Sequence, residues 1–508
     1  MTDRALLERV ERVDATFRRA AEAYAPALRM IQEGRVRSVR DGVAEIAGLP
    51  DVGFEEVVRI DGRTRALVLG LERDHLHAVL LDELTARRGG RARGTGRGPE
   101  IPVGAGLLGR VVDPLGRPLD GLPAPDVRQH APLERPAPLI HRRGAVHAPL
   151  LTGILAVDAM LPIGRGQREL ILGDEGTGKT TLALDALLRQ AETDVVGVYV
   201  AVGRRRTEIW RAAELLRSGG GRWVVVAAPD DRSPGLRYLA PYAGCAVAEH
   251  FMDRGAHALV VYDDLTSHAV AWRELSLLMR RPPGREAFPG DVFYLHSRLL
   301  ERATQLSTEE GGGSLTALPL ATLEGGRLSA YLPTNLISIT DGQIVLSQEL
   351  FAAGERPAID AGLSVSRVGG KAQPQAFREL AGRLRLEYAA FLELEVFSRI
   401  GSRLETSVAR RLAHGRRLRA LLRQPKHAPL DVFGETVRLA LSAEPELLGA
   451  LPVAEVPRIV AQLEEGLRER EPALAARLER EPTLHRDDAV RLREGLAARL
   501  REGGWLDA

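Results

Sequence analysis

The sequence predicts a multidomain chain in three parts: an N-terminal antiparallel β-barrel, a central α/β domain on a mostly parallel sheet, and a C-terminal α-helical bundle. Three observations predict it. Short apolar runs before residue 98 are punctuated by Asp41-Gly42 and Asp61-Gly62, dipeptides suited to hairpin turns. Further on, strand-like runs alternate with helical patterns, the mark of parallel strands joined by crossovers. Beyond Pro374 only the helical period persists.

Residues 1–33 place Leu6, Val10, Val13 and Phe17 at helical spacing among Arg and Glu, which predicts an amphipathic helix. Over residues 34–98 the barrel strands are expected at Arg35–Val39, Val43–Ile46, Glu55–Ile60, Ala66–Leu71 and His77–Leu81. The run Arg87-Arg88-Gly89-Gly90-Arg91-Ala92-Arg93 has no interleaved aromatic, so it reads as a solvated loop rather than a nucleic-acid arm. A Pro-rich stretch, 114–140, reads as an extended connection inside the α/β part, which spans 99–374. There the strand-like runs are Leu170–Leu172, Val195–Val202, Trp223–Ala228, Ala258–Tyr262 and Val292–Leu295. In the last part, 375–508, Phe377, Leu380, Leu384, Tyr388, Phe391, Leu394 and Phe397 step by three or four.

Composition narrows the class. Over 508 residues, 44% hydrophobic and 27% charged is an ordinary soluble balance with ample core. Lys+Arg 70 against Asp+Glu 68 leaves no global field for nucleic acid or an anionic membrane. The lone Cys245 excludes an internal disulfide and a zinc cluster, and fits a reducing compartment. Met1–Arg12 is charged throughout and unlike a signal peptide. No apolar stretch reaches the roughly 18 residues a spanning helix needs, so membrane association has to run through partners.

The chemistry centres on Gly173-Asp174-Glu175-Gly176-Thr177-Gly178-Lys179-Thr180, flanked by an apolar run before and a helical pattern after. G-x-x-x-x-G-K-T is the phosphate-binding loop. Its glycines let backbone N–H groups and the helix N-terminus converge on an anion. Lys179 is placed to reach terminal phosphates, and the Thr180 hydroxyl to join a Mg2+ shell. A plain Gly-rich turn is the alternative, and the flanking strand and helix argue against it. Ala258–Tyr262 runs apolar into Asp263-Asp264. An Asp ending a strand can simply cap the next element, but beside a phosphate loop it is the oxygen group that magnesium needs.

Several longer runs resemble the alpha subunit of F-type ATP synthases. They are Gly164–Leu170, Arg281–Glu286, Asp291–Arg302, Asn335–Ile344 and Ser364–Gly370, and the resemblance covers roughly residues 34–430. It implies a RecA-like P-loop domain and a ring of three alpha and three beta subunits around a central gamma stalk. It also implies a peripheral stalk with a delta subunit and a membrane sector conducting protons or sodium. The chain would then be a peripheral protein at the cytoplasmic face of a bacterial cell membrane, binding Mg-ATP at a non-catalytic site. By the same resemblance, Gly173 to Thr180 hold the phosphates, Thr180 and Asp263 the metal, and Arg356, Pro357 and Gln424 the adenine. Arg367 would reach into the neighbouring beta site, with Ser364, Ser338 and Asp341 shaping that interface.

Departures accompany the matches. The family's alpha loop usually carries Arg-Gln where this chain has Glu175-Gly176, and Gln where it has Lys426. Catalytic subunits place a Glu after the glycine that follows Val195–Val202, and ordinary alpha subunits a Gln; this chain has Arg204. A guanidinium accepts no hydrogen bond and cannot serve as base. Arg204 is therefore expected to pair with a terminal phosphate or to turn to solvent beside Arg205 and Arg206. Two other rings are alternatives: homohexameric export ATPases, which share the barrel, nucleotide domain and helical end, and helicases such as transcription terminator Rho. The missing Glu argues against the first, since hydrolysis needs a group to position water. The absence of an aromatic-studded basic groove argues against the second.

Overall fold

The computed structural model describes residues 32–82, 86–398 and 405–506, with Asp14 besides. The amphipathic helix expected over 1–33 therefore lies almost wholly outside the described residues, as does the Phe397 side chain.

Six antiparallel strands close into a barrel in the order β1-β2-β5-β4-β3-β6. They are β1 (Gly34–Arg40), β2 (Val43–Ala47), β3 (Val57–Ile60), β4 (Thr64–Leu71), β5 (Leu76–Leu80) and β6 (Arg91–Gly94). Alternate residues turn inward, among them Val36, Ala44, Ile46, Val58, Ile60 and Ala66. The hairpin dipeptides have positive φ at both positions, Asp41 at 47° and Gly42 at 83°, Asp61 at 49° and Gly62 at 71°. That is the backbone a tight hairpin with right-handed strand twist requires. The sixth strand corrects the expectation of a solvated loop over Arg87–Arg93. Ala92 is buried between Gly34 and Ile60, while the Arg93 guanidinium points outward to Glu33 at 2.8 Å. Closing the barrel leaves no open strand edge, and that tertiary gain recruits a segment too basic to read as a strand.

The main sheet runs β17-β16-β10-β15-β13-β11-β12-β8. Its strands are β8 (Val111–Val112), β10 (Leu170–Gly173), β11 (Val195–Val202), β12 (Trp223–Ala228), β13 (His257–Asp263), β15 (Ser314–Thr322), β16 (Gly342–Leu346) and β17 (Val365–Ser366). All pairings along this path are parallel except β16 with β17. The short β14 (Thr304–Gln305) adds antiparallel to β15. The Pro-rich connection is more structured than expected. It bridges back to β8 through Pro118 opposite Val112, and it contains β9 (Gln129–Pro132), which pairs antiparallel with β7 (Glu100–Val103).

Val292–Leu295, expected as a strand, is instead the first turn of a helix, Val292–Leu300. Val292, Leu295, His296, Leu299 and Leu300 are its buried residues, and they recur at intervals of three and four, which is helical. A four-residue apolar run carries too little length to separate the two periods. Central strand β15 escaped the sequence reading because Pro319 sits in its middle, opposite Tyr262, where proline usually argues against a strand.

Beyond Pro374 every regular element among the described residues is a helix, including Gln375–Leu380, Leu384–Ser398, Thr406–Leu422, Val432–Ser442 and Val456–Arg470. Phe377, Leu384, Tyr388, Phe391, Phe433 and Val437 share one apolar core with Leu155, Val157 and Ile171 of the α/β domain. The bundle is thus docked by burial on helix Leu155–Met160. Within that contact lies a carboxyl pair, Asp158 and Glu435, both buried. Asp158 accepts from the N–H groups of Thr152 and Gly153 and from the Thr152 hydroxyl. Burial, with the Asp158 charge beside it, holds Glu435 well above the usual carboxylate range.

A carboxyl whose folded pKa is raised stays protonated where the unfolded chain ionises, so stability falls as pH rises through that window. The loss is about 1.4 kcal/mol per pH unit between the two pKa values. Glu435→Gln mimics the protonated acid and should remove it. Thermal midpoints at pH 5 and pH 8 test this: the variant should gain over wild type at pH 8, and the gain should shrink toward pH 5. A gap that is equal at both values would mean that Glu435 does not titrate in this range.

Candidate functional site

The site is built at the carboxyl edge of the parallel strands. Gly173 ends β10, the loop crosses to Gly178, and helix Lys179–Arg189 begins there. Gly176 at φ 78° and Gly178 at φ 102° take backbone that side-chain-bearing residues rarely adopt. At Gly173 a Cβ would lie 2.6 Å from the Thr177 hydroxyl. The turn is held by Thr177 Oγ1 donating to the Asp174 carbonyl at 2.8 Å. Lys179 is buried, and its Nζ donates to the Gly173 and Asp174 carbonyls, each at 2.8 Å. Burial pulls its pKa below the ordinary lysine value, partly opposed by Asp264. Asp174 takes the Gly326 N–H at 3.1 Å, whereas Glu175 points to solvent.

On the other side of the loop opens a pocket of about 450 Å³, within the usual range for a small-molecule site. Its walls include Gly176, Thr177 and Gly178 together with Phe351, Arg356, Pro357, Gln424 and Lys426. The fold thus brings the phosphate loop and the three residues expected around adenine to one cavity, although Gln424 lies far along the chain. Arg356 is fixed by two backbone carbonyls, those of Phe351 and Glu355 at 2.7 Å, and lies 3.5 Å over the Phe351 ring. The Gln424 amide donates to Gly153 and Ala428 carbonyls at 2.7 and 2.9 Å and accepts the Leu155 N–H at 3.2 Å. Its polar atoms are committed to the wall, so it shapes the pocket.

Asp263, fully buried at the end of β13, is where the structure departs from expectation. Thr180 Oγ1 and the Tyr199 hydroxyl each donate to its Oδ2 at 2.8 Å. Arg204 Nε donates to Oδ1 at 2.9 Å, and its Nη2 contacts the same oxygen. That Nη2 also lies 3.3 Å from Thr180 Oγ1 and 3.7 Å from Asp264 Oδ2. Arg204 therefore does not turn to solvent, and its partner in the structure is a carboxylate rather than a phosphate. Asp264 caps the next helix through the Ser267 N–H at 2.7 Å. Glu208, on the first turn of helix Arg206–Gly219, is exposed. Tyr199 gave no sequence signal, because an aromatic inside an apolar strand reads as core.

The remaining residues gather at the opposite end of the sheet. β17 pairs Ser366 with Gly342 at the start of β16, and β16 pairs with β10 at the end remote from the loop. Arg367 follows β17, exposed, with its N–H on the Asp341 carbonyl at 2.9 Å and Nη2 on the Ile337 carbonyl at 3.4 Å. The length of β10, about 10 Å from Leu170 to Gly173 at strand rise, separates this edge from the phosphate loop. Asp341 is clasped by Arg168 through two hydrogen bonds of 2.9 and 2.7 Å. Ser338 is exposed and donates to the Asn335 carbonyl at 2.6 Å. Ser364 is buried, donating to Asp360 and accepting from the Val345 N–H. Its hydroxyl acts inside the chain, as a brace of the sheet edge.

Comparison with known proteins agrees with this geometry. Residues 153–366 match the model of the ATP synthase alpha/beta family, nucleotide-binding domain, and residues 373–498 that of the ATP synthase alpha/beta chain, C terminal domain. ATP synthase subunit alpha 3 of Paraburkholderia xenovorans is 54% identical over 453 residues, 89% of this chain and 84% of that protein. ATP synthase subunit alpha 2 of Cereibacter sphaeroides is 53% identical over 435 residues, 85% of this chain and 87% of its own length. ATP synthase subunit alpha 1 of Chlorobium luteolum is 46% identical over 507 residues, 99% of both.

Proposed function

The chain belongs to the ATP synthase alpha/beta family, and from that premise we propose that it is the ATP-binding, non-catalytic alpha subunit of a rotary F-type ATP synthase. It alternates with beta subunits in a ring of three and three around a gamma stalk, tied through a peripheral stalk and delta subunit to a membrane sector that conducts protons or sodium. Among the described residues no helix is long and apolar enough to cross a membrane, which fits a peripheral place at the cytoplasmic face. The enzyme is then the whole two-sector ATPase, and this chain is one part of it.

One observation carries the non-catalytic reading. The position where a water-orienting carboxylate would stand holds Arg204, and Arg204 is ion-paired to Asp263. A guanidinium offers donors only, so no attacking water can give up a proton there. ATP binding rests on the loop, on Lys179 and on the pocket that contains Arg356, Pro357 and Gln424. Thr180 and Asp263 are the hard oxygen donors that Mg2+ takes. With Arg204 on both of them, the set as it stands does not fit a divalent cation.

Equilibrium ATP binding and a phosphate-release assay on the purified full chain test the reading. ATP should bind with almost no turnover. Rapid turnover without beta would instead favour a self-sufficient homohexameric ATPase of the export type.

A further inference from the structure

We propose that the Arg204 guanidinium takes the place of the divalent cation at this chain's nucleotide site, so that the chain binds ATP without needing magnesium. The inference rests on the ATP-binding reading above. Both groups that would hold a metal are already engaged. Asp263 is fully buried, and each of its oxygens has a donor: Arg204 on Oδ1, Thr180 and Tyr199 on Oδ2. The Thr180 hydroxyl directs its proton to Asp263 and has Arg204 Nη2 at 3.3 Å on its other side. A metal between Thr180 and Asp263 would have to stand where the guanidinium stands, or against it as a second, like charge. Arginine keeps its proton throughout the accessible pH range, so this charge is permanent.

The guanidinium can also do what the metal would do for the phosphates. Its side chain is 26% exposed, and two of its nitrogens face Asp263, which leaves further N–H donors of the fork. Guanidinium pairs well with phosphate oxygens because the fork matches their geometry. With Lys179 and the helix N-terminus, it gives the loop two fixed cations and a ring of backbone donors. Asp263, which elsewhere would help to hold a metal, here holds an arginine in position.

Calorimetric ATP titrations of the full chain, in Mg2+ and in EDTA, test this on wild type and Arg204→Gln. Wild type should bind ATP in EDTA within about threefold of its affinity in Mg2+, while the variant should need the metal by about tenfold or more. Mn2+ resonance gives a second readout: ATP should recruit protein-bound Mn2+ to the variant and not to wild type. Wild type that loses tenfold or more in EDTA overturns the proposal, and so does a variant as indifferent to metal as wild type. The two wild-type titrations decide even if the variant does not fold. ATP binding by wild type in neither buffer would remove the ATP-binding reading itself, a distinguishable failure.

Discussion

An assembled complex carrying Arg367→Ala is expected to lose multisite ATP hydrolysis by about 10³-fold or more, the scale on which arginine fingers act. The side chain is exposed, its guanidinium is held by one backbone carbonyl at 3.4 Å, and it stands at the sheet edge remote from the phosphate loop. From there it is remote from the nucleotide loop of its own chain, and its proposed role is in a neighbouring subunit's site. The charge that develops on a transferring phosphoryl group is stabilised equally well by a guanidinium from another subunit. The variant's own ATP affinity should therefore stay near wild type. Arg367→Lys keeps the charge but loses the fork, and should recover only part of the rate. Hydrolysis that survives Arg367→Ala within about threefold, less than 1 kcal/mol of barrier, would remove Arg367 from the role.

The sequence showed the architecture wherever one signal spoke alone. Asp-Gly dipeptides fixed two hairpins, and the loop Gly173–Thr180 fixed both the strand before it and the helix after it. It was silent where tertiary packing overruled local chemistry. β6 is a strand because a barrel needs a closing edge, not because Arg91-Ala92-Arg93-Gly94 favours one. β15 holds its place through its pairing with β13 on one side and β10 on the other, although Pro319 can donate no N–H to either. At the site, the adenine-side residues were legible only through family resemblance. No spacing rule joins Arg356 to Gln424, and only the docking of the helical part puts both on one cavity. The pairing of Arg204 with Asp263 was invisible for a plainer reason. Two side chains at the ends of adjacent parallel strands β11 and β13 meet only once the register is known, and that register aligns Ala201 with Asp263.

Arg302→Ala should cost about 3–5 kcal/mol of stability, the usual loss when one partner of a buried ion pair is removed. Both Arg302 and Glu249 are fully buried, and the pair is bidentate, with Nε–Oε1 at 2.8 Å and Nη2–Oε2 at 2.5 Å. The remaining arm donates to the Leu133 carbonyl at 2.7 Å, so one side chain ties helix Pro234–Met252 to the connection that follows β9. Truncation leaves the Glu249 carboxylate buried, with Arg135 Nε at 3.6 Å its one remaining cation among the described residues, and leaves the Leu133 carbonyl without that donor. The penalty comes from the uncompensated charge more than from the lost pair. Replacing both partners with apolar residues of similar size, Arg302→Met with Glu249→Leu, should therefore recover most of the loss. Urea midpoints of the wild type, the single variant and the double variant measure this. A single variant within 1 kcal/mol of wild type would mean that Glu249 finds another cation, and Arg135 is the residue placed to supply it.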